Sequence, residues 1–147
     1  MAGKPRLLCA VTDLGYVHVR RALVDDYDLV PAFSMLQARA AVKSADLDAI
    51  LCSIHFDESR MFELLQFARQ SAPEVPFVCC RMLQSPFNGD VVSGIAQSAT
   101  AQGAIGFIDY RDMQRREGTG AAAEKFRAAL NSLLGDPARP ETRRRQG

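Results

Sequence analysis

No stretch of this sequence is apolar for long enough to cross a membrane as a helix. Its opening residues, "MAGKPRLLCAV", also lack the long apolar run of a signal peptide. The expected location is therefore cytoplasmic, with no membrane partner. An excess of charge of one sign is missing too. Lys and Arg number 18 against 17 Asp and Glu, a formal net charge of +1, so no global basic field points to nucleic acid. The four cysteines, Cys9, Cys52, Cys79 and Cys80, form no C-x-x-C pair and no zinc-finger spacing. Each lies in an apolar run, as expected of small buried hydrophobes in a reducing compartment. If "PFVCCRML" is a strand, Cys79 and Cys80 point to opposite faces, which argues against a dithiol site. The chain has two histidines, His18 and His55, and a metal site needs several convergent ligands. There is no G-x-G-x-x-G after the first apolar run and no G-x-x-x-x-G-K-[ST], so dinucleotide and P-loop sites are poor readings. No G-x-S-x-G elbow surrounds Ser53. Neither a cofactor nor a metal is expected.

What the sequence does contain is an alternation of short apolar runs and helix-like segments. The 147 residues, 48% of them hydrophobic, fit one domain with a real core. Its expected span is residues 1–135. Residues 136–147 read as a disordered basic tail, with Arg143, Arg144 and Arg145 solvated. "RLLCAV" is a strand bounded by Pro5 and "TDLG". A loosely periodic helix covers Tyr16 to Asp26. "YDLVPAF" is a second strand, and Pro31 inside it cannot donate a ladder hydrogen bond, which predicts a sheet edge. Ser34 is positioned to cap a helix through "MLQARAAVKSA".

"DAILCSI" is apolar at nearly every position, as in a parallel strand covered on both faces. The segment "DESRMFELLQFARQSAP" follows as a helix, and "PFVCCRML" as the fourth strand. "QSPFNGD" is a loop, and "VVSGIAQSATAQ" a helix weakened by Gly94. "GAIGFIDY" is the fifth strand, "RDMQRREGTG" a polar connector with at most a turn of helix, and "AAAEKFRAALNSLL" the clearest helix of the chain. Five strands alternating with five helices predict a three-layer, doubly wound α/β fold with a parallel sheet. The flavodoxin-like order 2-1-3-4-5 puts the second strand at the edge. Function in such sheets sits beyond the carboxyl ends of the strands, here Thr12, Asp13, Ser53 to Asp57, Arg81 and Asp109 to Arg111.

The element order and the segments "RRALVDDYDLVPAF", "ARAAVKSADLDAILCS" and "GAIGFIDY" resemble a response-regulator receiver (CheY-like) domain over about Arg6 to Leu134. The resemblance implies a magnesium-assisted phosphoryl acceptor site, and position by position the sequence departs from it. The paired acidic residues after the first strand become Thr12 and Asp13. The acceptor aspartate falls on Ser53, and the hydroxyl residue ending the fourth strand falls on Arg81. The strand-ending lysine falls on Tyr110, with Arg111 in place of the following proline. The switch aromatic falls on Phe107. A serine cannot form the acyl phosphate, and one carboxylate makes a poor magnesium site. Without the metal, charge on a transferring phosphoryl group has little stabilisation.

These departures predict a degenerate receiver, not an enzyme, that acts by binding another protein. The family's docking face of fourth helix, fifth strand and fifth helix is the expected surface, with a homodimer as one outcome. Two other readings stay open. One is an anion sensor built on Asp13 and Arg81, where an arginine could replace the metal's charge. The other is a small enzyme using Ser53, which would need an activating base such as His55 within reach.

Overall fold

The computed structural model describes residues 3–44 and 46–135; the expected basic tail lies outside the described residues. Five parallel strands form one sheet in the order β2-β1-β3-β4-β5: β1 (Arg6–Ala10), β2 (Asp28–Ala32), β3 (Ala49–Ser53), β4 (Phe77–Arg81) and β5 (Gly106–Asp109). The expected fold class and strand order are both met. Pro31 lies in the edge strand β2, where its missing N–H costs no interior ladder bond. β3 is buried at all five positions, which is why its sequence reads as an unbroken apolar run.

Seven helices occur among the described residues: α1 (Asp13–Leu23), α2 (Met35–Ser44), α3 (Phe56–Ser59), α4 (Met61–Ser71), α5 (Gly89–Ala101), α6 (Tyr110–Glu117) and α7 (Thr119–Leu134). Two go beyond the five expected. α6 occupies most of the connector read from the sequence as polar and irregular. Asp109 accepts a hydrogen bond from the Asp112 amide at 3.1 Å and so caps α6. Asp112 pairs in turn with Arg115 and Arg116, one turn on. α3 is a single turn split from α4, and it is not right-handed. Asp57, Glu58 and Ser59 all have positive φ, at 45°, 58° and 68°. Such a conformation costs an L-residue roughly 1–2 kcal/mol per residue. Two contacts hold it: the Asp57 carboxylate accepts from the Met35 amide at 2.7 Å, capping α2, and lies 3.3 Å from Arg60.

α1 begins at Asp13 rather than Tyr16, because the Thr12 hydroxyl caps it by accepting from the Gly15 amide at 3.0 Å. Ser34 caps α2 as expected, accepting from the Gln37 amide. Asn88, within the expected loop, caps α5 and starts that helix at Gly89 despite Gly94.

Strand side chains alternate between two cores. Leu8, Ala10, Ile50, Cys52 and Cys79 pack with α2, α4 and α5, whereas Leu7, Cys9, Leu51, Val78 and Cys80 pack with α1 and α7. The vicinal cysteines thus face opposite layers. All four thiols are buried and free. Burial pushes the Cys79 thiol up to about 12 and raises the other three well above the usual thiol range, so none is a reactive thiolate.

Candidate functional site at the carboxyl rim of the sheet

The alternation that builds two cores also divides the carboxyl ends of the strands. Toward α1 and α7 point Ser53, Met82 and Tyr110. Toward α5 point Arg81, Phe107 and Asp109.

The α1/α7 side is filled. Ser53, at the end of β3, is 3% exposed. Met82, one residue past β4, is buried in the same layer. It lies against the first turn of α1, where a Cβ on Gly15 would come within 3.4 Å of Met82 Cβ and 3.1 Å of Thr12 Oγ1. Glycine at this position lets α1 close over the strand ends. Tyr110, the first residue of α6, is fully buried. Its ring meets Phe126 edge-on at 5.6 Å, and its hydroxyl lies 3.3 Å from His18 Nδ1. The place that the resemblance gives to a lysine is therefore occupied by an aromatic tied into α1 and α7. Asp13 is exposed, and its carboxylate accepts from the Leu14 amide at 2.8 Å.

The donor set does not suit magnesium. Thr12 spends its oxygen on a helix cap, Asp13 is the sole carboxylate of the expected pair, and no cluster of three or more His, Cys, Asp or Glu capable of holding a metal occurs among the described residues.

On the α5 side the rim is charged. Arg81 and Asp109 sit directly opposite one another in the β4–β5 register. They form a two-pronged ion pair, Nε to Oδ1 at 2.9 Å and Nη2 to Oδ2 at 3.0 Å. The planar guanidinium matches the carboxylate in this geometry, and the partial burial of both groups limits screening by solvent. Arg81 thus meets an acidic neighbour, but Asp109 rather than Asp13. The pairing follows from register: two oppositely charged residues end adjacent parallel strands at the same level.

His55, just past β3, stacks on Phe87 with ring centroids 5.7 Å apart. Phe87, in the β4–α5 loop, is half-buried and packs against His55 and the core on the α5 side. Burial lowers the His55 pKa, and the positive charge of Arg81 lowers it further. His55 Nε2 is buried with no hydrogen-bond partner among the described residues, so this nitrogen is not engaged with Ser53 as a base. His18 lies on the α1/α7 side beside Tyr110, and its pKa is also lowered, first by burial and then by Arg21 and Arg111.

Between the β4–α5 loop, α5, β5 and α6 runs a cleft of about 690 Å³. It is lined by Ser85, Phe87, Val92, Phe107 and Arg111, with the Arg81–Asp109 pair at one side. Thr12, Asp13 and Ser53 do not line it. Reading the sequence alone put Arg111 at the carboxyl rim but missed Met82, and missed Asp109 as the partner of Arg81. The Asp109 pairing could have been found by aligning the ends of "FVCCR" and "GFID".

Comparison with known structures agrees with this architecture. A response regulator from Thermotoga maritima superposes with a TM-score of 0.67 at 12% identity, covering 91% of this chain and 100% of that one. The signal receiver domain of an HD domain-containing protein from Pseudomonas fluorescens Pf-5 gives 0.67 at 14% identity, covering 97% and 96%. A CheY-like receiver domain protein from Methanospirillum hungatei JF-1 gives 0.58 at 17% identity, covering 89% and 97%. The fold is that of response-regulator receivers. No protein-family model and no curated protein matches the chain. No helix among the described residues is long and apolar enough to span a membrane.

Proposed function

We propose that this chain is a receiver-like protein that takes up no phosphoryl group and works in two-component-type signalling by binding another protein. One observation carries the reading: the position that the resemblance gives to the acceptor is a buried serine, Ser53, and the charge at the rim is a side-chain Arg81–Asp109 pair on the opposite face of the sheet. A receiver of the ordinary kind changes the charge at this rim when it is modified. Here the ion pair is built from side chains and is always present. In this reading the chain is not an enzyme: His55 Nε2 is not hydrogen-bonded to Ser53, and no cluster of side chains that could hold a metal occurs among the described residues.

The partner surface in this reading is the face of α5, β5 and α7. It carries the exposed side chains Val91, Ile105 and Leu133. Leu133 lies over Gly106, where any Cβ would come within 2.8 Å of its methyl groups. This keeps α7 close to the edge strand, so the three elements present one continuous face. A partner protein is the favoured occupant, and a second copy of the chain is the alternative.

The test is incubation with magnesium and acetyl phosphate or beryllofluoride, followed by intact mass and amide NMR spectra. The expected result is no adduct and unchanged amides at Asp13, Ser53 and Met82. An adduct, or shifts at those amides, would overturn the reading and make the protein a conventional switch. The sensor alternative built on Asp13 and Arg81 is less well supported, because Arg81 already commits two donors to Asp109.

A further inference from the structure

The cleft between the β4–α5 loop and α6 contains three arginines with different surroundings. Arg81 is matched by Asp109, and Arg115 by Asp112. Arg111 has no carboxylate partner among the described residues. Its guanidinium is held instead by two neutral amide oxygens, Gln84 Oε1 at 3.2 Å and Gln114 Oε1 at 3.1 Å. Gln84 comes from the β4–α5 loop and Gln114 from α6, so the arginine bridges the two walls. Neutral acceptors orient a guanidinium without cancelling its charge. They also use two of its five N–H donors, which leaves the others for a ligand.

Two further features sit around this group. Ser85 Oγ is buried without a hydrogen-bond partner among the described residues, and Ser85 lines the cleft. An unpaired buried hydroxyl in a native fold calls for a specific explanation. Phe87, Val92 and Phe107 supply apolar surface, while Gly89, Ser93 and Ala96 recur along one side of α5 and keep that wall low. A volume of about 690 Å³ falls within the roughly 300–1,000 Å³ range of small-molecule sites.

We propose that this cleft binds a small organic anion, a carboxylate or phosphate ester with a compact apolar body. Arg111 and Ser85 meet its charged end, and Phe107 and Val92 its apolar part. The site is separate from the Ser53 position and stands whether or not that serine is inert.

The test is titration of the full chain, followed by amide NMR, with benzoate and with phenyl phosphate at constant ionic strength. Inorganic phosphate and benzyl alcohol serve as the two half-ligands. The expected result is saturable movement of the Gln84, Ser85, Phe107 and Arg111 amides with at least one organic anion, and at least tenfold weaker response to either half-ligand. Benzoate alone would assign a carboxylate ligand, phenyl phosphate alone a phosphate ester, and either supports the site. Arg111→Gln should abolish the response, as should Ser93→Phe, which fills the cleft from an exposed position on α5. The proposal is overturned if neither organic anion gives saturable shifts, if benzyl alcohol binds as well as they do, or if both variants respond like the parent chain.

Discussion

The two sides of the carboxyl rim solve the same problem in opposite ways. Toward α1 and α7 the strand ends are sealed with carbon: Met82 over Gly15, Tyr110 on Phe126, and Ser53 buried in the same layer. Toward α5 and α6 they end in charge, Arg81 on Asp109, beside an open cleft. One residue of offset along a strand decides which side a group joins, because successive side chains face opposite layers. A rim can therefore be closed on one face while keeping a polar, accessible surface on the other. The filled face should behave as core, and the charged face as a positioned surface.

Substitutions can break that contrast. The largest effect is expected from Tyr110→Ala, which removes a fully buried ring and the hydroxyl contact to His18. It should cost about 3–5 kcal/mol in denaturant unfolding; a loss below about 1 kcal/mol would mean that the α1/α7 side is not packed as core. Next comes Asp109→Ala. It leaves Arg81, whose side chain is 13% exposed, without its counter-charge and strips the cap from α6, for a cost of about 2–3 kcal/mol. Adding Arg81→Met should recover part of this, since both halves of the pair are then gone.

A smaller change of opposite sign is expected at α3. Glu58→Gly relieves a left-handed residue and should stabilise the protein by about 0.5–1 kcal/mol, after allowing for the extra freedom of glycine in the unfolded chain. An unchanged or lower denaturation midpoint would count against the strained turn.

The smallest effect is in pH. His18 and His55 both have lowered pKa values, so the unfolded chain binds protons that the folded chain refuses just below the ordinary histidine pKa of about 6.5. Stability should therefore be full above that value. It should fall as pH drops through it, and level off once the folded-state pKa values are passed. Thermal melts from pH 7.5 to 5.5 should show this decline, and His18→Gln with His55→Gln should flatten it.

How much of this was legible in the residues depends on where the information is carried. Strand order was readable because burial on both faces leaves "AILCS" without polar positions, and because Pro31 is tolerated at an edge. α6 was not readable from hydrophobic periodicity, because "RDMQRRE" has almost none. It stands on a cap from Asp109 and on Asp112 pairing with Arg115 and Arg116, all polar devices. The left-handed run Asp57–Ser59 contains no glycine to announce it. It is imposed by the contacts Asp57 makes with Met35 and Arg60, which are distant or local only once the chain has folded. At the rim, the residue substitutions could be read directly. Which partner each residue takes depends on cross-strand register, and the sequence does not display register one strand at a time.

The Arg81–Asp109 pair has a consequence for how a cell would have to use such a molecule. Both charges are supplied by side chains, so the pair needs no modification to form and the rim presents the same charged face to each potential partner. A binding surface whose charge needs no modification transmits information through its amount and through what occupies the adjacent cleft. Occupancy then follows the ratio of free concentration to Kd, and control passes to synthesis, degradation and competition among partners.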